Sequence, residues 1–520
     1  MIDAPTLWRL VEARAAASPD ALFAIDEAGR ELTFEGLRNE AERVAAGLHE
    51  SGLREGDVVA WLLPTRISAF VLMVALARVG AVQNPLVPIY REREVGFCLE
   101  QTGARWLLVP GVHRGFDFGA LARDLTRERP ALRALDIGSD LPQGDPATLP
   151  DATDRGDIER WIFYTSGTTS DPKGARHTDE GILVSSRGLA AALGIGAGAR
   201  TGVVFPVTHL GGANALVSTL FAGSTQLVVE QFDPPTTVPF LSAHGVTHAG
   251  AGAVFYRAYV EAQRAAGAEP IFPELVALYG GGAPTPRALH DAAREELGGL
   301  GVLSTYGMTE CPVITMVRHD DPTEKRVSTE GRPTHPDTRI RIVDTSGREV
   351  AAGETGAVVV RAPQLLKGFV DARLDANAFD DDGFFDTGDL GHLDADGFLV
   401  ISGRRKDVII RKGENISAPE VEDLLASHPA VAEVAVIGLP DEERGERACA
   451  VVRPADPDRP LAFSEMAGYL ASRGLMRQKI PEQLEILDAL PRNPSGKVMK
   501  ARLVERFGGD LAEHQVRRSR

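Results

Sequence analysis

The chain alternates between helix-like and strand-like hydrophobic patterns along most of its length. Apolar residues recur at helical spacing over Leu37–Leu48 and over Ser68–Val79, and Gly80 follows the second segment as a glycine able to cap the helix end. Short apolar runs such as Val58–Leu63 and Trp106–Val109 lie between these segments and predict buried strands. Helices that alternate with buried strands favour an α/β fold with largely parallel sheets.

Three further predicted strands are followed by polar or glycine-containing segments. Arg160–Thr165 comes after Ser139–Gly156, a connector rich in aspartate, proline and glycine. Leu275–Tyr279 and Val302–Thr305 each lead directly into a turn that contains glycine. Because open α/β sheets bind ligands beyond the carboxyl ends of their strands, these turns are the first places to look for chemistry.

The pattern changes after about residue 404. Ser417–Glu420 has the sequence of a capping box with proline at an early helical position, and it predicts the start of a helix. We place a domain boundary near Arg404–Lys406, which divides the chain into domains 1–404 and 405–520. The second domain is predicted to be a compact α+β unit, with strands at Glu433–Ile437, Cys449–Val452 and Gln483–Leu487 and a helix at Ser464–Ser472.

Composition narrows the class of protein. The 520 residues are 43% hydrophobic and 25% charged, as in globular proteins, and the formal net charge of −17 opposes binding to nucleic acid or anionic lipid. The apolar run Ala69–Ala77 is too short to span a membrane, and the N-terminus lacks the basic-then-apolar pattern of an export signal. Cys98, Cys311 and Cys449 are too scattered for a disulfide framework or a zinc site. We therefore expect a multidomain cytoplasmic protein with no membrane span and no nucleic-acid partner.

The strongest local signal is the segment Tyr164–Gly174, in which a predicted strand leads into a loop with two glycines, four hydroxyl side chains and Lys173. Backbone N–H groups in such a loop form a concavity for anions, while hydroxyls and lysine add donors for phosphate. The order of residues differs from a Walker A loop, where lysine directly follows the second glycine. An ordinary surface loop of turn-forming residues is the alternative.

Two other segments carry groups suited to a nucleotide. Ser304–Glu310 places an aromatic ring, a hydroxyl and a carboxylate at the end of a predicted strand, where the carboxylate suits Mg²⁺. In Asp386–Asp389 and Ser402–Asp407, Asp389 is suited to accept hydrogen bonds from a ribose diol and Arg404 to donate to ribose or phosphate. Taken alone, each of these segments is more typical of a solvated turn.

A fourth segment, Pro491–Lys497, is a conformationally restrained loop that presents one lysine. The four segments, in this order and at these spacings, resemble the ANL superfamily of adenylate-forming enzymes, which includes acyl-CoA synthetases, stand-alone adenylation domains and beetle luciferases. The resemblance extends over nearly the whole chain. It implies a large N-terminal domain of layered α/β subdomains, which holds ATP and the acyl group, and a small mobile α+β C-terminal domain.

The resemblance also implies roles for individual residues. The loop from Thr165 to Lys173 matches the loop that wraps the β- and γ-phosphates, and Tyr306 matches the tyrosine that stacks on adenine. The residues that match nucleotide-binding positions are Thr165, Ser166, Gly167, Thr168, Thr169, Lys173, Gly281, Gly282, Tyr306, Gly307, Asp389 and Arg404. Catalytic positions are matched by His209, Thr309, Glu310 and Lys497, with Thr309 on phosphate, Glu310 on Mg²⁺ and Lys497 bridging the substrate carboxylate and the α-phosphate.

In such enzymes the small domain swings about a hinge, matched here by Lys406. Gly413 then faces the incoming pantetheine, where a missing side chain lets a ligand pass close to the backbone. The path of the acyl group and thiol is matched by Val207, Thr208 and Met308, and His209 matches a histidine that borders this path; a core histidine is the alternative.

Two residues depart from the family pattern. Ser170 stands where relatives usually carry glycine, which affects the expected shape of the phosphate loop. Thr208 replaces an aromatic residue, and its smaller side chain is predicted to leave room for a bulkier or branched acid.

The leading hypothesis is an AMP-forming carboxylate–CoA ligase that uses ATP, Mg²⁺ and CoA in fatty-acid or related metabolism. Medium-chain, alicyclic, aryl and steroid-derived acids are all compatible with it, and apolar residues near Val207, Leu210 and Met308 favour an uncharged acyl group. Few residues follow Lys497, so we expect no attached carrier domain.

Three alternatives differ in the acceptor or in the chemistry. The enzyme could load a separate carrier protein, or it could activate another oxyacid such as nitrite for transfer to an amine. A non-catalytic nucleotide sensor is disfavoured because Lys173, Glu310 and Lys497 are all present, and a sensor needs no bond-making groups.

Overall fold

The computed structural model describes residues 2–138, 140–165, 172–282, 285–411, 414–441, 445–493 and 496–508. Its mixed α/β architecture has a large N-terminal domain and a small C-terminal domain. The α-helices are α1 (Leu7–Ala17), α2 (Phe34–Glu50), α3 (Ile67–Val79), α4 (Glu92–Thr102), α5 (Phe118–Glu128), α6 (Asp179–Leu193), α7 (Leu210–Ala222), α8 (Pro234–Ala243), α9 (Ala253–Ala266), α10 (Arg287–Ala292), α11 (Thr323–Ser328), α12 (Ala418–Ala426), α13 (Phe463–Ser472) and α14 (Lys500–Phe507).

The strands fall into four larger sheets and one short ribbon. The first seventeen are β1 (Leu22–Asp26), β2 (Glu31–Thr33), β3 (Val58–Trp61), β4 (Val82–Pro85), β5 (Trp106–Val109), β6 (Val112–His113), β7 (Phe116–Asp117), β8 (Arg133–Asp136), β9 (Glu159–Thr165), β10 (Lys173–Thr178), β11 (Arg200–Val203), β12 (Thr225–Val228), β13 (His248–Ala249), β14 (Ala277–Gly281), β15 (Val302–Tyr306), β16 (Thr315–Met316) and β17 (Arg332–Pro333). The others are β18 (Arg339–Val343), β19 (Gly356–Arg361), β20 (Phe385–Leu393), β21 (Leu399–Arg404), β22 (Val408–Arg411), β23 (Glu414–Ser417), β24 (Val431–Asp441), β25 (Gly445–Pro454) and β26 (Gln483–Ile486).

Two large sheets form the body of the N-terminal domain. The first has the order β17-β16-β15-β14-β13-β11-β12-β1-β2, and its inner strands are parallel. The second has the order β10-β9-β4-β3-β5-β8, with β10 antiparallel to β9 at one edge. Their shared core includes Phe23, Trp61, Phe163 and Val203, together with apolar side chains of α2, α3 and α7. The helices are therefore packed between the sheets, which gives the layered α/β arrangement that the sequence predicted.

Two smaller sheets complete the molecule. The antiparallel sheet β18-β19-β20-β21 ends at Arg404, and the next sheet, β23-β22-β25-β24 with β26 beside β25, begins at Val408. The second of these sheets and helices α12, α13 and α14 enclose separate apolar clusters around Val436 and Ile437. The C-terminal domain therefore has a core of its own.

Several predicted elements are confirmed. α3 ends at Gly80, whose φ of +78° is the left-handed conformation expected of a glycine cap, and β5 has the predicted bounds Trp106–Val109. β14 begins two residues later than predicted and extends through Gly281, because it pairs with β15 as far as the Gly281–Thr305 partners.

The predicted capping box at Ser417–Glu420 was wrong. Ser417 does precede α12, and Pro419 lies in its first turn, but the Ser417 hydroxyl donates to Ser402 O at 2.7 Å instead of capping the helix. Glu420 forms an ion pair with Lys479 at 2.6 Å. Long-range partners therefore compete successfully with the local capping bonds.

Candidate active site

Asp389 lies at the centre of a small hydrogen-bonded cluster. The Tyr306 hydroxyl donates to Asp389 Oδ2 at 2.7 Å, and Arg404 Nε lies 3.0 Å from Asp389 Oδ1. Asp389 is only 3% exposed, whereas Arg404 is partly accessible. The structure thus brings together three residues that the sequence assigned to the nucleotide site.

Strand register accounts for this cluster. Asp389 in β20 and Arg404 in β21 are direct partners across an antiparallel pair. Tyr306 is the last residue of β15, at the carboxyl end of the parallel part of the first sheet. Burial and then the nearby Asp389 raise the pKa of Tyr306, so the phenol stays protonated and acts as the donor. The cluster therefore joins two sheets at the strand ends where a ligand is expected.

A tight turn after β15 holds Thr309 and Glu310. Met308 N donates to Cys311 O at 3.1 Å and Cys311 N donates to Met308 O at 3.2 Å, which leaves Thr309 and Glu310 as the central residues of the turn. A Cβ atom on Gly307 would lie 2.6 Å from the backbone nitrogen of Val313. Glycine is therefore required at 307 by the close approach of the backbone.

His177 fixes this turn from the second sheet. Its Nε2 lies 2.8 Å from the carbonyl oxygen of Thr309. Burial lowers the pKa of His177 to about 4, so the ring is neutral near pH 7 and Nε2 donates its proton to the carbonyl. Sequence reasoning missed this residue, because the only local signal is a single histidine within the strand Lys173–Thr178.

Glu310 is a desolvated carboxylate close to positive charge. Burial raises the pKa of Glu310 on balance, although its own backbone N–H, Lys173 and Arg404 act to lower it. Among the residues that the structure describes, no group of three or more His, Cys, Asp or Glu side chains is placed to hold a metal ion. Mg²⁺ is commonly held by one or two carboxylates together with phosphate and water oxygens, so a single carboxylate such as Glu310 fits that ion.

The ends of the predicted phosphate loop are held close together. Thr165 at the end of β9 and Lys173 at the start of β10 are direct partners in an antiparallel pair. Lys173 Nζ lies 6.0 Å from the centre of the Phe369 ring. Five residues singled out in this loop lie outside the described residues: Ser166, Gly167, Thr168, Thr169 and Ser170.

Gly281 and Gly282 lie at the carboxyl end of β14, beside β15. A Cβ atom on Gly281 would lie 2.1 Å from Thr305 O, and Gly282 has a φ of +86° with open space around its Cα. Both glycines are exposed. They leave the end of β14, beside Thr305 of β15, without side chains.

Thr208 and His209 line a small pocket that also contacts Thr309. The pocket is bounded by the 85–90 segment, by β9 and by Leu210 at the start of α7, and its volume is only about 10 Å³. Thr208 Oγ1 and His209 Nε2 are both buried, and neither has a hydrogen-bond partner among the described residues. Burial lowers the pKa of His209 to about 4, so it presents a neutral imidazole.

The other two residues assigned to the acyl path do not line this pocket. Val207 is buried and its N–H donates to Thr65 Oγ1 at 3.2 Å, while Met308 packs against the cluster around Cys311 and Phe369. A Cβ atom on Gly212 would lie 2.0 Å from Val207 O, so the loop before α7 folds tightly over the helix start. An acid can enter the pocket beside Thr208 only if side chains move, even though the threonine side chain is smaller than an aromatic one.

The predicted hinge residue, Lys406, lies in a single 3₁₀ turn, Arg405–Asp407, between β21 and β22. Arg405 forms an ion pair with Asp386 of β20. The turn is the covalent link between the last sheet of the N-terminal domain and the first strand of the next sheet. Gly413 lies outside the described residues.

Lys497 lies on a hairpin turn that faces the larger domain. Asn493 N donates to Lys497 O and Lys497 N donates to Asn493 Oδ1, both at 2.9 Å. A Cβ atom on Gly496 would lie 3.5 Å from Val254 Cγ2. Val254 is near the start of α9, which follows the carboxyl end of β13. The hairpin that carries Lys497 therefore contacts the N-terminal part of α9.

Comparison with known families and proteins agrees with this geometry. The family described as "AMP-binding enzyme" matches residues 11–370, and the "AMP-binding enzyme C-terminal domain" matches residues 420–497. The chain belongs to this family, within the ANL superfamily of adenylate-forming enzymes.

Individual relatives differ in their acids and acceptors. The chain is 32% identical to a salicyl-AMP ligase / salicyl-S-ArCP synthetase of Mycobacterium tuberculosis, over 94% of this chain and 88% of that protein. It is 30% identical to a medium-chain fatty-acid–CoA ligase of Escherichia coli, over the same shares of both chains. The solved structure of O-succinylbenzoate coenzyme A synthetase from Bacillus subtilis with ATP and magnesium is 28% identical, has a TM-score of 0.82, and is matched over 95% of this chain and 99% of that one.

The protein is accordingly an ATP-dependent adenylate-forming ligase. Within the part of the chain that the structure describes, no helix is long and apolar enough to cross a membrane.

Proposed function

We propose that this protein is an AMP-forming carboxylate–CoA ligase. The proposal rests on three features that lie close together at the carboxyl end of β15. They are the Tyr306–Asp389–Arg404 cluster, the Thr309–Glu310 turn and the pocket at His209. A nucleotide bound at the cluster and an acid bound at the pocket would meet near Thr309, which lines the pocket and follows Tyr306 by three residues. The hairpin that carries Lys497 contacts α9 of the large domain through Gly496.

In the first step a carboxylate oxygen attacks the α-phosphorus of ATP, and pyrophosphate leaves. The product is a mixed anhydride of the acid and AMP. The attack brings a carboxylate towards a phosphorus surrounded by negative oxygens, so catalysis consists mainly of positioning and charge neutralisation. Lys173 and Lys497 supply fixed positive charge for the phosphates and for the attacking carboxylate.

Glu310 is the residue that would hold Mg²⁺. The ion supplies charge neutralisation and orientation for the phosphate oxygens when it is bound. Asp389 accepts from the ribose hydroxyls, and Arg404 and Tyr306 hold its carboxylate in place before the nucleotide arrives. His209, neutral because its burial lowers its pKa to about 4, offers a hydrogen bond to the acid without adding charge.

In the second step the CoA thiolate attacks the carbonyl carbon of the anhydride, and AMP leaves. This step needs space where Lys497 stood, and rotation of domain 405–520 about Lys406 relative to domain 1–404 would provide it. The turn Arg405–Asp407 is suited to that rotation, since a single short segment connects two separately packed sheets.

A carrier-protein thiol is the second candidate acceptor. The observation that favours it is the 32% identity to a relative whose name includes salicyl-S-ArCP synthetase. The nucleotide site would be the same in both cases, because only the donor of the thiol changes. An aryl acid in the pocket beside Thr208 is compatible with either acceptor.

The test is pyrophosphate release from ATP across octanoate, cyclohexanecarboxylate, salicylate, benzoate and nitrite, each measured with and without Mg²⁺ and with and without CoA. The proposal predicts turnover that requires a carboxylic acid, Mg²⁺ and CoA, with an acyl-CoA product detected by mass spectrometry. A single burst of pyrophosphate that CoA does not convert to turnover would assign the acceptor to a carrier protein. Turnover of nitrite alone would refute a carboxylate–CoA ligase.

A further inference from the structure

Glu433 is a carboxylate surrounded by three arginines. It lies in β24, and its side chain is 16% exposed. Arg453 is its cross-strand partner on β25, and Arg453 Nη2 lies 3.1 Å from Glu433 Oε1. Arg492 Nη2 lies 2.5 Å from Glu433 Oε2. Arg257 Nη1 lies 3.4 Å from Oε1. Arg453 and Arg492 belong to the C-terminal domain, whereas Arg257 belongs to α9 of the N-terminal domain, so the cluster crosses the interface.

Arg492 also holds the hairpin that carries Lys497. Its Nη1 donates to the carbonyl oxygen of Gly496, while its Nη2 is on Glu433. Arg492 and Val498 form a bridge between the two arms of the hairpin. One guanidinium group therefore connects Glu433 to the turn in which Lys497 lies.

The opposite side of the contact is one face of α9. Val254 and Arg257 are three residues apart, which places them on the same face of a helix. Val254 lies against Gly496 of the hairpin, and Arg257 lies against Glu433. The first turn of α9 thus makes an apolar contact and a charged contact with the same unit of the C-terminal domain.

We propose that Arg257 is a positioning residue, which acts through Glu433 and Arg492 to hold the Lys497 hairpin against the large domain for the adenylation step. This inference rests on the proposed two-step reaction. Arg257 belongs to none of the sequence motifs. Its ion pair with Glu433 is a specific contact between the domains that can break when they rotate.

The three arginines around Glu433 are arranged so that the two domains can separate without leaving its carboxylate unpaired. Within the Glu433 cluster, rotation of the C-terminal domain would separate the Arg257–Glu433 pair, while Arg453 and Arg492 would remain with the carboxylate. Removing all partners from a buried charge would be costly, but here the charge stays compensated in both positions. Burial alone would raise the pKa of Glu433, but Arg492, then Arg257 and Arg453, lower it on balance, so it is ionised at neutral pH.

The test uses three variants of α9 arginines in the full-length protein. Arg257→Met removes the charge and keeps the apolar stem, and Arg257→Lys restores a charge. Arg264→Met is the matched control, because Arg264 lies on the same helix and pairs at 2.6 Å with Glu296 inside the large domain. Each variant is assayed for adenylation, as pyrophosphate release with the acid selected above, and for thioester formation from the corresponding synthetic acyl-adenylate and CoA.

We expect Arg257→Met to lower the adenylation rate by about ten-fold while thioester formation from acyl-adenylate stays within about two-fold. Arg257→Lys should recover most of the loss, and Arg264→Met should behave like the parent. Equal losses in both half-reactions, or an unchanged adenylation rate for Arg257→Met, would overturn the assignment.

A second measurement needs no acid and so separates this inference from the proposed function. The native cysteines are all buried, so cysteines introduced at the exposed positions Ala268 and Asp458 can be labelled selectively. Distances between spin labels are measured with Mg²⁺ and ATP. Arg257→Met should broaden or shift the main distance, and the Arg264→Met control should not. An unchanged distribution in Arg257→Met would overturn the positioning role even if no acid in the panel reacts.

Discussion

His177 shows how a residue outside every motif sets the geometry of the site. Its ring donates to the Thr309 carbonyl oxygen at 2.8 Å and is 1% exposed. The bond connects β10, which follows the phosphate loop, to the turn that holds Glu310. A neutral imidazole is needed for this, and burial provides it by lowering the pKa of His177 to about 4.

Replacing His177 by phenylalanine should therefore lower the rate of adenylation by more than a loss of folded protein accounts for. The Thr309 carbonyl would lose its donor, and we expect kcat for adenylation to fall about ten-fold or more, since small misplacements at a reacting centre are costly. His290→Phe is the matched control, because His290 makes the same kind of bond, at 2.9 Å, to Val302 at the other end of β15. Steady-state kinetics and thermal unfolding are measured for both variants. If His177→Phe and His290→Phe have similar unfolding temperatures and similar kcat values, the role of His177 is contradicted.

At this scale the sequence predicted individual residue types better than their contacts. The resemblance assigned Tyr306 to adenine and Asp389 to ribose, but it did not predict the 2.7 Å hydrogen bond between them. That bond depends on how β15 of one sheet approaches β20 of another, and no local pattern encodes it. The same reason explains why His177 was missed, since its partner lies 132 positions further along the chain.

The turn after β15 is the element on which the site depends most. Gly307 has the backbone of Val313 so close that an added Cβ atom would lie 2.6 Å from its nitrogen. Gly307→Ala must displace the turn that carries Thr309 and Glu310. We expect at least a ten-fold loss in kcat/KM for ATP with the fold retained, as judged by circular dichroism.

Gly198→Ala is the control for that substitution. Nothing lies within 4 Å of a Cβ atom placed at Gly198, and this glycine has no positive φ, so the variant should keep the parent's activity. An active Gly307→Ala enzyme would show that the turn tolerates displacement and is not a fixed part of the site.

Elements were predicted best where apolar residues are contiguous and both ends carry clear signals. The predictions of α3 and β5 were correct. Gly80 marks the end of α3, and a four-residue apolar run defines β5. β14 was displaced by two residues because its ends are set by pairing with β15. The capping box at Ser417 failed for a related reason: the Ser417 hydroxyl donates to the Ser402 carbonyl oxygen on β21, and its oxygen accepts no hydrogen bond from the first turn of α12.

For the whole molecule, buried histidines predict a loss of stability in acid. Burial lowers the pKa values of His177, His209 and His248 to about 4, while the unfolded value is about 6.5. The unfolded chain therefore binds more protons between these values, so stability is present above about pH 6.5 and is lost as the pH falls towards 4. Glu330 acts in the opposite direction, because burial raises its pKa to about 7 and its contribution grows as the pH falls below that value.

Among these four groups the three histidines outweigh the glutamate, so together they contribute an uptake of about two protons on unfolding near pH 5. Denaturant unfolding at pH 7, 6 and 5 measures this uptake through the slope of the free energy of unfolding against pH. A His248→Gln variant should reduce the slope by about one proton, since burial lowers the pKa of His248 to about 4 and glutamine does not titrate. A free energy independent of pH over this range would contradict the prediction.

The most direct test of the two-step account is to separate the half-reactions in Lys497→Ala. The proposed domain rotation uses Lys497 only for adenylation, so pyrophosphate release should fall by about a hundred-fold or more, while thioester formation from supplied acyl-adenylate and CoA stays near the parent rate. Lys500→Ala, which removes a nearby lysine paired with Glu422 at 2.7 Å, should leave both rates near the parent. Equal loss of both half-reactions in Lys497→Ala, or full adenylation activity, would contradict the account.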